Sequence, residues 1–207
     1  MLLGIQIDNA ATETDQAGER IALFGGSFDP IHLGHHFIAS RAREAIGLDR
    51  VIVIPAFRSP FKTDRKSADG IHRLEMARLA TANELGLEVS SYEIDLEDTS
   101  YSWRTAEHFS EQNPKARLFW ILGADQWEAL PRWSRPEHFA SLVEFIVFRR
   151  DGQKTVEREG YRAHFVDGTF SASSTQIREL LGTGSSDRID TLHPDVERYA
   201  RKNALYE

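Results

Sequence analysis

An α/β domain with a doubly wound, Rossmann-like parallel sheet is the fold this sequence predicts, from three observations. Short apolar runs that read as buried strands alternate with helical patterns from Arg20 onward. Several runs, RVIVI at residues 50–54 among them, are continuously apolar rather than alternating, as strands covered on both faces are. The first run passes through Gly25-Gly26 into a helical pattern, a strand, glycine turn and helix start in succession.

The elements follow in order. Residues 20–24 (RIALF) form a first strand. Asp29-Pro30 halts an early helix, and Leu33, Phe37, Ile38 and Ala45 mark one face of a helix that Gly47 ends. Residues 50–55 complete a β-α-β unit. Residues 56–69, with Pro60 and the basic Arg58, Lys62, Arg65 and Lys66, read as a surface loop at that strand's carboxyl end, where open α/β sheets bind ligands. Asp69 is placed to cap a helix through Leu74, Ala77, Arg78 and Ala80 that ends before Gly86. Residues 87–89 and 92–94 read as another strand region. Ser100 is placed to cap a helix from Tyr101 to about Glu111, which Pro114 stops. Residues 117–123 and 143–148 are strongly apolar strands and 163–166 a weaker one. Ser173 or Ser174 caps a helix through Ile177, Leu180 and Leu181, and residues 194–203 form a closing helix.

The 207 residues fit a single domain with a sizeable core, placed at residues 20–207. Residues 1–19 are polar and without periodicity, a composition compatible with a disordered extension. A net charge of -7 argues against a nucleic-acid binder that works by neutralising phosphates. The absence of cysteine excludes disulfides, zinc-thiolate sites and thiol nucleophiles, and fits a reducing cytoplasm. No apolar run approaches the roughly 20 residues that cross a bilayer, and no basic segment precedes a long apolar one, so a soluble, unexported, cytoplasmic protein is expected.

Four stretches carry chemistry. In LFGGSFDPIHLGHH, residues 23–36, His32 and His35 are three apart and share a face at a helix's first turn, where unpaired N–H groups and the helix dipole favour anions. Gly34 removes a side chain between them, and Gly25, Gly26 and Ser27 let backbone approach a phosphate. A loop with two surface histidines is the plainer alternative, and His36 is as apt to pack or face solvent as to work. In SASSTQIREL, residues 171–180, hydroxyls at a helix start precede Arg178 by one turn, so N–H groups and a guanidinium can meet one phosphate; an ordinary cap with an exposed arginine is the alternative. Gly123-Ala124-Asp125 follows a strand, where a carboxylate can accept from ribose hydroxyls and a glycine can admit a flat base, or Asp125 can cap a helix. SYSWRT, residues 100–105, offers hydroxyls at another helix start.

GGSFDP followed by HxGH resembles the signature of the nucleotidyltransferase superfamily, whose members join a nucleotide monophosphate unit to a phosphate acceptor and release pyrophosphate. At that motif pantetheine-phosphate and glycerol- or choline-phosphate enzymes remain open. SSTxIR resembles the second motif of adenylyltransferases, which implies that Ser173, Ser174, Thr175 and Arg178 hold ATP phosphates. GADQWEALPRWSRPEHF is similar to a segment of bacterial nicotinate-mononucleotide adenylyltransferases, implying that Trp133 stacks on the pyridine ring, while Trp127 and Trp103 read as core. SYSWRT resembles the same family's helix start, implying that Tyr101 and Ser102 bind the mononucleotide. Where the family often has His-Lys in the loop after the second strand, this chain has Phe61-Lys62; Lys62 stays a phosphate candidate. IVFRRDG resembles a strand with a basic pair, for which structural and surface roles suit Arg149 and Arg150. The resemblance spans about residues 20–203.

It implies transfer of the adenylyl group of ATP to nicotinate mononucleotide, giving nicotinate adenine dinucleotide and pyrophosphate. His32, His35 and Arg178 would be catalytic, His35 as principal transition-state contact and His32 positioning phosphates. Mg2+ is expected on the ATP phosphates, with no dedicated protein ligands. Acid over amide would be told by Ser102 and backbone N–H groups by Trp133. The alternatives are nicotinamide mononucleotide or pantetheine phosphate as acceptor, or a nucleotide sensor without turnover; neither nucleic acid nor membrane is an expected partner.

Overall fold

Side by side in the order β3-β2-β1-β4-β5-β6 run β1 (Arg20–Gly26), β2 (Arg50–Pro55), β3 (Leu87–Val89), β4 (Arg117–Gly123), β5 (Glu144–Arg149) and β6 (Ala163–Asp167). Every neighbouring pair is parallel. The computed structural model describes residues 18–60, 67–150, 155–184 and 187–207. Strand order reverses between β1 and β4, so the crevice at their carboxyl ends is the topological switch point where such sheets bind ligands.

The continuous apolar runs are explained by burial on both faces. Ala22 and Phe24 of β1 join one core with Ala39 and Ala42 of α1 (Leu33–Ile46) and Met76 and Ala77 of α2 (Gly70–Thr81). Ile177 of α7 (Ser174–Gly182) and Val196 of α8 (Pro194–Lys202) complete that side. Ile21 and Leu23 point the other way, towards Phe109 of α4 (Ser102–Gln112), Trp127 of α5 (Ala124–Ala129) and Phe139 of α6 (Pro136–Leu142). Gly47, in the left-handed region at φ 65°, ends α1 as expected.

Several expectations are corrected. Residues 92–94 belong to a short helix, α3 (Tyr92–Leu96), not to a strand. Local hydrogen bonds decide this: the Ser90 hydroxyl accepts from the Tyr92 N–H, and the Ser91 hydroxyl donates to Asp95. Ser100 does not cap α4, because Tyr101 occupies that position and the Ser100 Oγ accepts from the Phe57 N–H at 3.0 Å. Asp69 precedes α2 without a side-chain capping bond. Between β4 and β5, where no helix pattern stands out beyond Asp125, lie α5, a 3-10 turn (Leu130–Arg132) and α6. Gly25 and Gly26 end β1, paired with Ile54 and Pro55, so the turn starts after them.

Of the expected extension, residues 1–17 lie outside the described residues, as do Lys62, Arg65 and Lys66. Glu19 is tied to the sheet: its carboxylate accepts from Arg50 and its carbonyl from the Arg117 N–H. Among the described residues no helix is long and apolar enough to cross a membrane.

Candidate active site

The loop from β1 to α1 is held in an unusual backbone path. Phe28 sits at φ 45°, a region costing a non-glycine residue about 1–2 kcal/mol. Its ring is 3 % exposed and meets Phe24 and His35 edge-on, at 5.3 and 5.0 Å. Packing thus holds the strained turn that presents the histidines.

The His32 N–H donates to Nδ1 of His35 at 3.2 Å. With Nδ1 accepting, the neutral His35 ring carries its proton on Nε2 and can donate there. The two imidazoles stack at 3.8 Å between centroids. The Nδ1 of His32 is buried without a partner among the described residues, and burial pulls this imidazole down to about 4. His32 is therefore neutral at physiological pH, which lets two rings stack without mutual repulsion.

A pH dependence of stability follows. Unfolded, His32 titrates near about 6.5. Between that value and about 4 the unfolded chain binds a proton that the fold resists, so the stability contributed by neutral His32 is full above about 6.5 and is lost as pH falls through the window. Thermal midpoints should decline from pH 7 to pH 4, and His32→Gln should make that decline shallower; an unchanged slope would mean that His32 protonates in the fold without penalty.

The glycines of the motif have packing reasons that the sequence does not display. A Cβ on Gly25 would come within 2.7 Å of the Trp120 ring, and one on Gly34 within 3.0 Å of the His32 ring. A side chain at Gly25 would force the Trp120 ring to move, and one at Gly34 would press the His32 ring aside by a few tenths of an ångström. At Gly123 a Cβ would meet nothing within 4 Å, which leaves open space above the end of β4.

The fold brings the last motif onto the first. Arg178 of α7 donates to the Asp29 carbonyl at 2.7 Å and to the Thr175 hydroxyl at 3.3 Å, while the Ser174 hydroxyl donates to the Pro30 carbonyl at 3.1 Å. Ser173 is the residue before α7. Ser27, Asp29, Arg58, Ser174, Thr175 and Arg178 line a polar cleft of about 640 Å³. His32 and His35 border a separate, mainly apolar space behind the loop. Asp125 sits in the first turn of α5, next to Gln126, whose Oε1 accepts from the Gly123 N–H.

A second, narrower cleft of about 100 Å³ adjoins the first and shares Ala56 and Ser59 with it. Tyr101, Ser102, Trp133 and Trp103 stand in its wall, with Gly25 and Gly26 at its floor rather than in the polar cleft. Trp133 lies parallel to Phe139 at 6.1 Å, so packing fixes its ring. Its backbone N–H donates to the Leu130 carbonyl. Trp103 packs against the core as expected and also lines this cleft, its ring covered by the Arg135 guanidinium at 4.2 Å. Trp127 is core as expected, at 1 % exposure. Arg149 forms a two-pronged pair with Asp167 across β5 and β6, the structural role foreseen for it.

Arg73 and Glu93 carry roles that no motif announced. Arg73 is 4 % exposed and donates to the carbonyls of Ser27, Ala56, Phe57 and Ala68, pinning the loops after β1 and β2 together around the clefts. Its signal was a charge at helical spacing from the buried Met76 and Ala77. Glu93 borders the narrow cleft; burial pushes its carboxyl above the usual range, and it accepts from the Thr105 hydroxyl at 2.6 Å.

A family model described as cytidylyltransferase-like matches residues 23–180, which span both motifs. A probable nicotinate-nucleotide adenylyltransferase of Methylacidiphilum infernorum is 39% identical over 192 residues, covering 90% of this chain and 92% of that one. The nicotinate-nucleotide adenylyltransferase of Bacillus subtilis is 35% identical, over 91% of this chain and 99% of that one. The chain belongs to the nicotinate-nucleotide adenylyltransferase family. A solved member, the Plasmodium falciparum nicotinic acid mononucleotide adenylyltransferase complexed with NaAD, shares its fold with a TM-score of 0.72 at 17% identity, over 91% of this chain and 97% of that one. In this chain the α7 arginine meets the loop that carries the first motif, at the Asp29 carbonyl.

Proposed function

We propose that this enzyme transfers the adenylyl group of ATP to nicotinate mononucleotide, with the triphosphate in the polar cleft and the pyridine ring in the narrow one. The observation that carries the reading is the meeting of the two clefts at Ala56 and Ser59, beside the sheet's switch point. Two phosphate-bearing substrates placed so can bring a 5′-phosphate oxygen to the ATP α-phosphorus.

The nucleophile is the mononucleotide's own phosphate. Its second pKa is about 6, so it is mostly dianionic at neutral pH and needs no protein base. A bond forms between that oxygen and the α-phosphorus, the bond to the β-bridging oxygen breaks, and pyrophosphate leaves with the negative charge. Catalysis is then alignment and charge stabilisation. His35 donates from Nε2 to the transferring phosphoryl group, neutral His32 positions it, and Arg178, Ser173, Ser174, Thr175 and Ser27 hold the phosphates. Lys62 is assigned to the same phosphates. Gly123 and Asp125 take the adenosine end, under the open space at Gly123.

The donor set fits a magnesium ion that arrives on ATP. Asp29 is the carboxylate lining the polar cleft among the described residues, and its Oδ1 already accepts from the Tyr206 hydroxyl and the Ala68 N–H. Mg2+ bound to the triphosphate would neutralise phosphate charge. Ser102 and neighbouring N–H groups select the pyridine carboxylate. The cysteine-free chain suits a cytoplasmic setting.

Trp133→Ala tests the placement. Loss of an aromatic stack should raise KM for nicotinate mononucleotide about tenfold while KM for ATP stays near its starting value. An equal rise in both constants would remove Trp133 from the pyridine site.

A further inference from the structure

The segment after α8 returns to the first motif. Ala204 and Tyr206 both adopt positive φ, 49° and 77°, and the Tyr206 hydroxyl donates to Oδ1 of Asp29 at 2.8 Å, across 177 residues of sequence. Gly182 of α7 makes room for this return: a Cβ there would stand 2.8 Å from the Tyr206 carbonyl oxygen. Two strained residues and a side-chain-free position on the neighbouring helix are thus committed to one phenol.

The phenol's partner is the critical one. Asp29 is 7 % exposed, and its carbonyl holds Arg178. Its other carboxylate oxygen, Oδ2, stands 3.9 Å from the Arg178 guanidinium, beyond hydrogen-bond distance. Tyr206 and the Ala68 N–H both hold Oδ1. Burial and the adjacent carboxylate push the phenol well above its ordinary value, so it remains a donor throughout the working range.

We propose that Tyr206 is a positioning residue for ATP, whose hydroxyl keeps the Asp29 carboxylate from closing on Arg178 and so leaves that guanidinium available to the polyphosphate. Without the hydroxyl, a shift of roughly 1 Å brings Oδ2 into a direct ion pair with Arg178. The loose ion pair then becomes a hydrogen-bonded one, which ties up guanidinium N–H groups that would otherwise meet phosphate. The proposal rests on the assignment of the polar cleft to ATP.

The test is Tyr206→Phe, which keeps the ring, with KM measured for each substrate and affinity measured for an α,β-methylene analogue of ATP. KM for ATP and Kd for the analogue should rise about tenfold, with KM for nicotinate mononucleotide unmoved. In an Asp29→Asn background the same substitution should add little, because an uncharged amide has no charge with which to tighten onto Arg178. A Tyr206→Phe enzyme with unchanged ATP constants, with both KM values raised alike, or with the same penalty beside Asp29→Asn, overturns the proposal. If the phenylalanine variant does not fold, Gly182→Ala displaces the segment while keeping the phenol, and the same rise for ATP is expected; none would count against it. Should the unaltered enzyme prove inactive, the analogue's affinity still judges Tyr206 separately from the reaction.

Discussion

Replacing His35 by alanine should lower kcat at least about a hundredfold and leave the fold intact. The size follows from the ring's preparation. The His32 N–H occupies Nδ1, so the proton sits on Nε2, and Phe28 holds the ring edge-on from a strained, buried turn. A donor fixed in advance loses nothing to reorganisation when negative charge builds on the phosphoryl group, which is where preorganised donors have their largest effects. His35 is only partly buried, and its ring contacts with Phe28 and His32 are at the edge of the core, so the unfolding midpoint should fall modestly while turnover falls far more. Single-turnover kinetics beside a thermal melt separate the two effects. Turnover near that of the parent would remove His35 from the mechanism.

Arg73→Met should cost about 3–5 kcal/mol of stability, the range for breaking a buried charged network. Arg73 is almost fully buried, and its guanidinium donates to four backbone carbonyls on two loops. Methionine matches much of the stem but leaves those carbonyls without a partner. Lysine should not rescue, since one ammonium cannot reproduce a planar fork that reaches Ser27, Ala56 and Phe57 together. Denaturant unfolding gives the comparison. A loss below about 1 kcal/mol would mean that water satisfies the carbonyls and that Arg73 does not brace the clefts.

Much of the scaffold was legible because burial on both sheet faces leaves a strong local trace. The runs RVIVIP and RLFWILG became β2 and β4, and Gly47 ended α1 where its conformational freedom suggested. Residues 92–94 misled because apolar and polar residues alternate there, while hydroxyls of Ser90 and Ser91 set a helical turn. No element expected from the sequence corresponds to α6; its Pro136 sits at the helix start, where a proline costs no hydrogen bond.

The site was legible in its motifs and less so in its partitions. Arg178 reaches from α7 to the Asp29 carbonyl in the loop that leads to His32 and His35, yet Gly25 and Gly26 floor the aromatic cleft instead of the polar one. Their spacing with Trp120 is a tertiary fact, fixed by two strands that pair only in the fold. Trp103 reads as core alone because an indole gives the same signal in a core and in a binding wall. Arg73 and Tyr206 act through carbonyls and a carboxylate distant in sequence, and no local pattern encodes such a pairing.

The most direct measurement is the pyrophosphate and dinucleotide formed from ATP and Mg2+ with nicotinate mononucleotide, set against nicotinamide mononucleotide, with products identified by mass. One pyrophosphate per nicotinate adenine dinucleotide, with a strong preference for the acid, is the expected result. Preference for the amide would keep the chemistry and overturn the assignment of the pyridine pocket. Pyrophosphate release with neither, while pantetheine phosphate is adenylylated, or binding of ATP without any release, would contradict the proposed reaction itself.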